Sequence, residues 1–223
     1  LESLAALHLA RWNDPRTRGL PGSMATPRDA DQMVLLWNYL ALNIKRPSYE
    51  AFLPDWIHDS PERLAQAYDE LAAFEREAPG PRCIVHGDSH QGNSYLRDSG
   101  ERIWTDWQLA RNGHPWRDVC YFAVGALSVE ERRKAMPDLL EEYRNRLLAG
   151  GAQDVPSHDE AWDHFVRWPV YGMQCWLGNV DQWGQSSGPM VERFVRAVED
   201  FDSIERLIQG RAPRRPIRLG EGA

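Results

Sequence analysis

The stretch Cys83–Gln108, CIVHGDSHQGNSYLRDSGERIWTDWQ, decides how the rest of this 223-residue chain is read. CIV is a short apolar run entering a turn at Gly87, the pattern of a strand that delivers polar residues from its end. NSYL and RIWTDW flank RDSGE, whose Asp-Ser-Gly cluster is a turn signal, so the pair predicts a β-hairpin. His86, Asp88, His90, Asn93 and Asp106 stand around it, and two chemistries compete for them. His86, Asp88 and His90 alternate, and on a regular strand they would put three metal ligands on one side, as in a zinc cage or a metal-dependent hydrolase. Gly87 invites a turn that breaks the alternation, and no Cys or His cluster elsewhere clearly completes the shell. Phosphoryl transfer uses more of the residues, because it needs a divalent metal on oxygen ligands and a carboxylate that accepts or orients the attacking hydroxyl's proton. Asp88 at a strand end can be that base. Asn93 offers an amide oxygen to a metal, and Asp106, on the returning hairpin strand, offers an anionic one.

Outward from the hairpin the chain reads as helical. Leu1, Leu4, Leu7 and the Leu9/Trp12 region recur at helical spacing. A Pro- and Gly-rich loop follows, then apolar density predicting a helix over 29–45. Ser60 and Pro61 supply an N-cap and first-turn proline for a helix to about Ala78. After the hairpin, GHPWRDVCYFAVGAL predicts a loop and then a buried helix, with His114 in the loop. Ser128 with Glu131 and Ser157 with Glu160 have capping-box spacing for two more helices, the second kinked or interrupted at Pro169. A last helix is predicted over Pro189–Gln209. The expected class is α+β and mostly helical: 1–80 helical, 81–112 a catalytic-loop hairpin, 113–210 a helical subdomain and 211–223 a tail, all in one domain.

The totals narrow the function. With 42% hydrophobic and 26% charged residues this is a globular protein, and 26 basic against 33 acidic residues argue against a nucleic-acid partner. Positive charge gathers only in GRAPRRPIRLG, which reads as a solvated or frayed tail. Cys83, Cys120 and Cys175 are scattered and in apolar company, fitting buried thiols in a reducing cytoplasm. No run of about 18 apolar residues occurs, so no membrane partner is expected.

HGDSHQGN followed by TDWQLARNGHPWRDVCYF resembles the aminoglycoside phosphotransferase and choline kinase family, whose pattern is His-Gly-Asp-x-His-x-x-Asn and then Asp-Trp or Asp-Phe. The Asp-Trp-Gln and the Trp-rich final third also look like its ecdysteroid kinase-like branch. The resemblance implies a protein-kinase-like fold with ATP and Mg2+ as cofactors. It implies Asp88 as catalytic base, Asn93 and Asp106 as magnesium ligands, and Asp118 as an anchor under the catalytic loop. His86 would buttress the loop, and His90 could buttress it or touch substrate. An ordinary acid at a helix N-terminus is the competing reading of Asp118.

The resemblance covers the large C-terminal lobe. LESLAALHLARW looks like the first helix after the hinge, where the family carries a Leu-Ala-x-Leu-His motif, and the two lysines, Lys45 and Lys134, do not follow a Val-Ala-Ile type strand. The N-terminal β-rich lobe is therefore expected to be absent from this chain, making it a missing partner, and the chain alone is expected to bind ATP poorly. The acceptor is expected to be a small-molecule hydroxyl. Trp162, Trp168, Trp176 and Trp183 read mainly as packing, with one or two available to an apolar or cation-holding pocket. Asp159, Asp163 and Asp181 would suit an amine, or lie on a solvated face. Trp104 and Trp107, alternating on the hairpin, read as packing. A non-catalytic kinase-like binding module is the alternative from a different class.

Overall fold

The computed structural model describes residues 1–19, 40–49, 53–178, 187–214 and 216–217. They are mostly helical, and the chain divides into two compact units, Leu1–Ser23 with Glu75–Trp168, and Met24–Phe74 with Pro169–Ala223. Most of the helix predicted over 29–45, together with Asp181 and Trp183, lies outside the described residues.

In the first unit, α1 (Glu2–Leu9) turns Leu4, Ala5 and His8 inward and packs on β1 (Cys83–Val85). β2 (Ser94–Leu96) and β3 (Arg102–Trp104) form the predicted antiparallel hairpin, with Tyr95 opposite Ile103. Its turn is closed by the Arg97 N–H on the Glu101 carbonyl at 2.8 Å, with Gly100 at φ +85°. The strand CIV does not join that hairpin. It pairs antiparallel with β4 (Arg111–Gly113), Ile84 opposite Asn112, a segment that the sequence reading assigns to no strand. One hairpin is thus nested inside another. The two segments between the pairs, 86–93 and 105–110, are the polar loops, and the nesting places both at one end of the strands.

Helices close this unit. α4 (Trp116–Ala126) follows β4 and is buried over most of its length. α5 (Val129–Ala149) and α6 (His158–Phe165) begin at Ser128 and Ser157, each completing the predicted capping box with Glu131 or Glu160. Leu140, Tyr143 and Leu147 of α5 are fully buried, as are Phe165 of α6 and Trp116 of α4.

The second unit contains α2 (Asp55–Asp59), α3 (Glu62–Glu77) up to Phe74, α7 (Pro169–Gly178), α8 (Ser187–Asp200) and α9 (Ser203–Ile208). The expected interruption is present rather than a kink: α6 stops at Phe165, and Pro169 opens a new helix, where its missing N–H is harmless. α7 and α8 approach so closely at Gly172 that a Cβ there would lie 2.1 Å from the Phe194 ring. The single final helix predicted from the sequence is two, broken where Asp202 takes a left-handed conformation at φ 52°. The basic segment is not a frayed tail through its first turns. Arg211 Nη1 and Arg214 Nε reach the buried Glu70 carboxylate at 2.9 and 2.8 Å, and Gln66 donates to the Arg211 carbonyl. Among the described residues no helix is long and apolar enough to cross a membrane.

Candidate active site

Asp88 follows β1 by three residues on a backbone fixed one peptide at a time. The His86 N–H donates to Asp118 Oδ2 at 2.5 Å, and the Gly87 N–H to Oδ1 at 3.0 Å. The Asp88 N–H donates to Nδ1 of His86 at 3.2 Å. Gly87 itself sits at φ +84°, and a Cβ there would lie 2.1 Å from the Leu109 carbonyl oxygen, so the loop crosses its neighbour at a point only glycine fits. The sharp turn that the sequence suggests is present, and it breaks the alternation a three-ligand strand would require.

His86 is committed on both ring nitrogens. Its Nε2–H donates to the Thr105 carbonyl at 2.8 Å while Nδ1 accepts from Asp88, an arrangement satisfied by the neutral imidazole. Its ring packs between Trp104 and Trp107, at 5.3 and 4.7 Å between centroids. Trp104 is buried and donates to the Ser3 hydroxyl. Trp107 does not alternate with it on the strand; it begins a single 3-10 turn beyond β3 and remains 43% exposed. His90 caps the 3-10 turn Gln91–Asn93 by accepting the Gly92 N–H at Nδ1. Burial lowers its pKa, outweighing the nearby Asp88, so the ring is neutral near neutrality.

Asn93 is brought back onto Asp88. Its Nδ2 donates to the Asp88 carbonyl at 2.9 Å and to Oδ2 of the Asp88 carboxylate at 3.0 Å. The loop holding Asp106 is stitched to the same place by the Thr105 N–H on the Asn93 carbonyl at 2.9 Å. Asp106 is not on the returning strand: it lies two residues past β3, at φ 59°, as the N-cap of the turn Trp107–Leu109. Its exposed carboxylate receives a long contact from Gln108 at 3.4 Å. Asn93 and Asp106 therefore offer hard oxygens, one amide and one carboxylate, a donor set that suits Mg2+, which keeps much of its water shell. Among the described residues no group of three or more His, Cys, Asp or Glu side chains is gathered as a metal site.

Asp118 is in the first turn of α4 and fully buried. Besides the two loop N–H groups, Oδ2 accepts from His8 Nε2 at 3.2 Å, and His8 Nδ1 lies 2.5 Å from the Tyr143 hydroxyl. Burial alone would raise the Asp118 pKa. The His8 hydrogen bond, the Arg117 charge and the Gly87 N–H together hold it below the usual range. The Ser89 hydroxyl adds a bond to the Asp118 carbonyl at 3.0 Å. Sequence reasoning missed His8, Ser89 and Tyr143 as parts of this network. His8 alone left a trace, as the polar member of an otherwise apolar helical stripe. His114, read as loop, is also fully buried: it donates from Nδ1 to the Pro81 carbonyl at 3.0 Å, and Nε2 faces Arg82 Nη1 at 3.2 Å.

Trp168 is fully buried and Trp176 nearly so, while Trp162 stacks on Phe165 at 5.7 Å. Asp159 and Asp163 are exposed.

A solved structure of a choline/ethanolamine kinase family protein from Mesorhizobium loti is similar to this chain at 18% sequence identity and a TM-score of 0.46, covering 94% of this chain. The chain spans 65% of the length of that protein. No curated protein matches. The family model described as phosphotransferase enzyme family, APH, matches residues 1–161, a span that runs from α1 and His8 through both polar loops and Asp118 into α6. By that match the chain belongs to the phosphotransferase enzyme family.

Proposed function

We propose that this chain is the large C-terminal lobe of an ATP-dependent kinase that transfers the γ-phosphoryl group to a hydroxyl of a small molecule. The observation that carries the reading is the Asn93–Asp88 pair. One amide aims the carboxylate through its nitrogen, and its oxygen accepts no hydrogen bond among the described residues. Asp88 is half-buried and reachable, so it can accept or orient the proton of an acceptor hydroxyl placed in line with the phosphoryl group. Asn93 and Asp106 would hold magnesium, which when bound neutralises charge developing on the transferring group. Asp118 anchors the loop from below. His86 and His90 act as scaffolding: the ring nitrogens of the first are spent on Thr105 and Asp88, and Nδ1 of the second on Gly92.

The test is ADP release by the full-length protein, with Mg-ATP and a panel of alcohols, amino sugars, choline-like amines and sterols. Turnover with at least one acceptor, lost in Asp88→Asn, supports the reading. Acceptor binding by calorimetry without ADP release from any of them favours a kinase-like binding module instead. Stoichiometric zinc in the purified protein would favour a metal-dependent hydrolase.

A further inference from the structure

Asp118 holds two N–H groups of the catalytic loop, but a peptide plane has a carbonyl as well. The Gly87 carbonyl belongs to the plane whose nitrogen is Asp88's own, so its direction sets where the Asp88 side chain leaves the backbone. With Gly87 at φ +84° this carbonyl meets a buried group, Nη2 of Arg117, at 2.7 Å. Arg117 is 1% exposed and immediately precedes Asp118 on α4. Two adjacent residues of one helix turn therefore grip successive peptides of the loop by opposite polarities: Asp118 accepts the N–H groups of His86 and Gly87, and Arg117 donates to the carbonyl of Gly87.

A guanidinium buried this deeply needs support of its own. Its Cζ lies 5.9 Å from the Trp168 ring centroid, within cation–π range. Glu75, in the last turn of α3, is also fully buried. Burial drives the Glu75 pKa up, and Arg117 is the strongest of the charges that draw it back. The Trp168 ring thus faces the guanidinium, and the guanidinium holds the loop. A side chain kept only to fill the interior would need no charge; a leucine or methionine fills space at less desolvation cost.

We propose that Arg117 is a positioning residue for the reaction: its hydrogen bond to the Gly87 carbonyl fixes the peptide plane that aims Asp88, with the Trp168 ring facing the guanidinium. This rests on the reading of Asp88 as the base. The bond does not touch substrate or nucleotide, so its loss should appear in the chemical step and leave binding alone.

The experiment uses the full-length protein with Arg117→Met, which keeps the stem and removes the donor, and Arg117→Lys, which keeps the charge and a single-point donor. Steady-state kinetics are joined to amide hydrogen exchange of peptides covering 86–93 and 94–104. In Arg117→Met, kcat falls about 100-fold, the penalty of a misplaced catalytic group, while KM for ATP stays within about twofold. Exchange rises at 86–93 and not in the hairpin. Arg117→Lys recovers about tenfold of the lost kcat. A folded Arg117→Met with wild-type kcat and wild-type exchange at 86–93 overturns the proposal. If that variant does not fold, Arg117→Lys decides: wild-type kcat together with unchanged exchange at 86–93 overturns it, and a lower kcat with faster exchange there upholds it. Absence of phosphoryl transfer by the wild-type protein overturns the functional reading instead, and the exchange at 86–93 still decides the clamp.

Discussion

Nδ2 of Asn93 lies 3.0 Å from Oδ2 of Asp88 and 2.9 Å from the Asp88 carbonyl oxygen. The nitrogen end of the amide is thereby spent on the carboxylate, and the oxygen end, which accepts no hydrogen bond among the described residues, is the end proposed above to face magnesium. This division of labour explains why an asparagine suits the position better than an aspartate: a second carboxylate would meet the first without a donor between them. Asn93→Asp should lower kcat by at least about tenfold, because the amide donor that orients Asp88 is lost, and should lower the magnesium concentration needed for half-maximal rate, because a second carboxylate adds negative charge at the metal. A magnesium titration of the variant checks this, and an unchanged magnesium dependence would count against Asn93 as a ligand.

Asp88→Asn keeps the size and the backbone bonds of the loop while removing the proton acceptor. Turnover in the full-length protein should fall by about 10²- to 10⁴-fold, the usual contribution of general acid–base catalysis. The residue is neither a helix cap nor part of the buried network, so the thermal unfolding midpoint should stay within a few degrees. Near wild-type kcat would remove Asp88 from the role proposed for it.

Asp118→Ala should act on the fold before it acts on chemistry. It strands the His86 and Gly87 N–H groups and His8 Nε2 in a fully buried place. Breaking a buried, hydrogen-bonded charge of this kind costs about 3–5 kcal/mol, to be read from urea unfolding of wild type and variant. A loss under about 1 kcal/mol, the scale of an exposed pair, would mean that Asp118 only complements the helix dipole.

The parts of this architecture that are legible in the sequence are those written in local chemistry. Capping boxes announce themselves three residues apart, and the turn in RDSGE lies between two β-prone runs. The polar residues of HGDSHQGN cluster because one loop carries them. What stays hidden depends on chain brought from far away. Arg-Asn-Gly has no strand propensity and becomes β4 only because Cys83–Val85 needs an edge partner. His8 and Asp118 are 110 positions apart, and nothing near either residue encodes the other. The final helix breaks at Asp202, an aspartate able to take the left-handed conformation, inside a pattern that is helical on both sides. The arginines of the basic tail look solvated until buried Glu70 is seen beneath them.

Gly87→Ala tests the crossing of the two loops. The added Cβ would meet the Leu109 carbonyl at 2.1 Å on a backbone with φ +84°, so both sterics and conformation oppose it. The expected loss is at least about 2 kcal/mol, combining overpacking with a left-handed residue. Gly100→Ala supplies the comparison: φ is the same within a degree, +85°, but nothing lies within 4 Å of a Cβ there. Its loss should be near the conformational part alone, about 1 kcal/mol. Equal losses at the two sites, measured by denaturant unfolding, would show that the close approach to Leu109 is unimportant.

His114 gives the protein an acid limit. Its Nδ1–H already donates to the Pro81 carbonyl, and Nε2 faces the Arg82 guanidinium, so a second proton would be set against a positive charge in a buried site. Burial first, then Arg82 and His164, hold its pKa down from 6.5 to about 3. The folded value lies below the unfolded one, so between those two pH values the unfolded chain binds the proton and the folded chain does not. The contribution of this group is fully present above pH 6.5 and is lost as pH falls toward 3, with a limiting slope of about 1.4 kcal/mol per pH unit. Urea unfolding between pH 7 and 4 should show stability declining on acidification. His114→Asn, which can still donate toward Pro81 but does not titrate, should be less stable than wild type at pH 7 and lose less of what it has by pH 4. Parallel curves for the two proteins would place the acid sensitivity elsewhere.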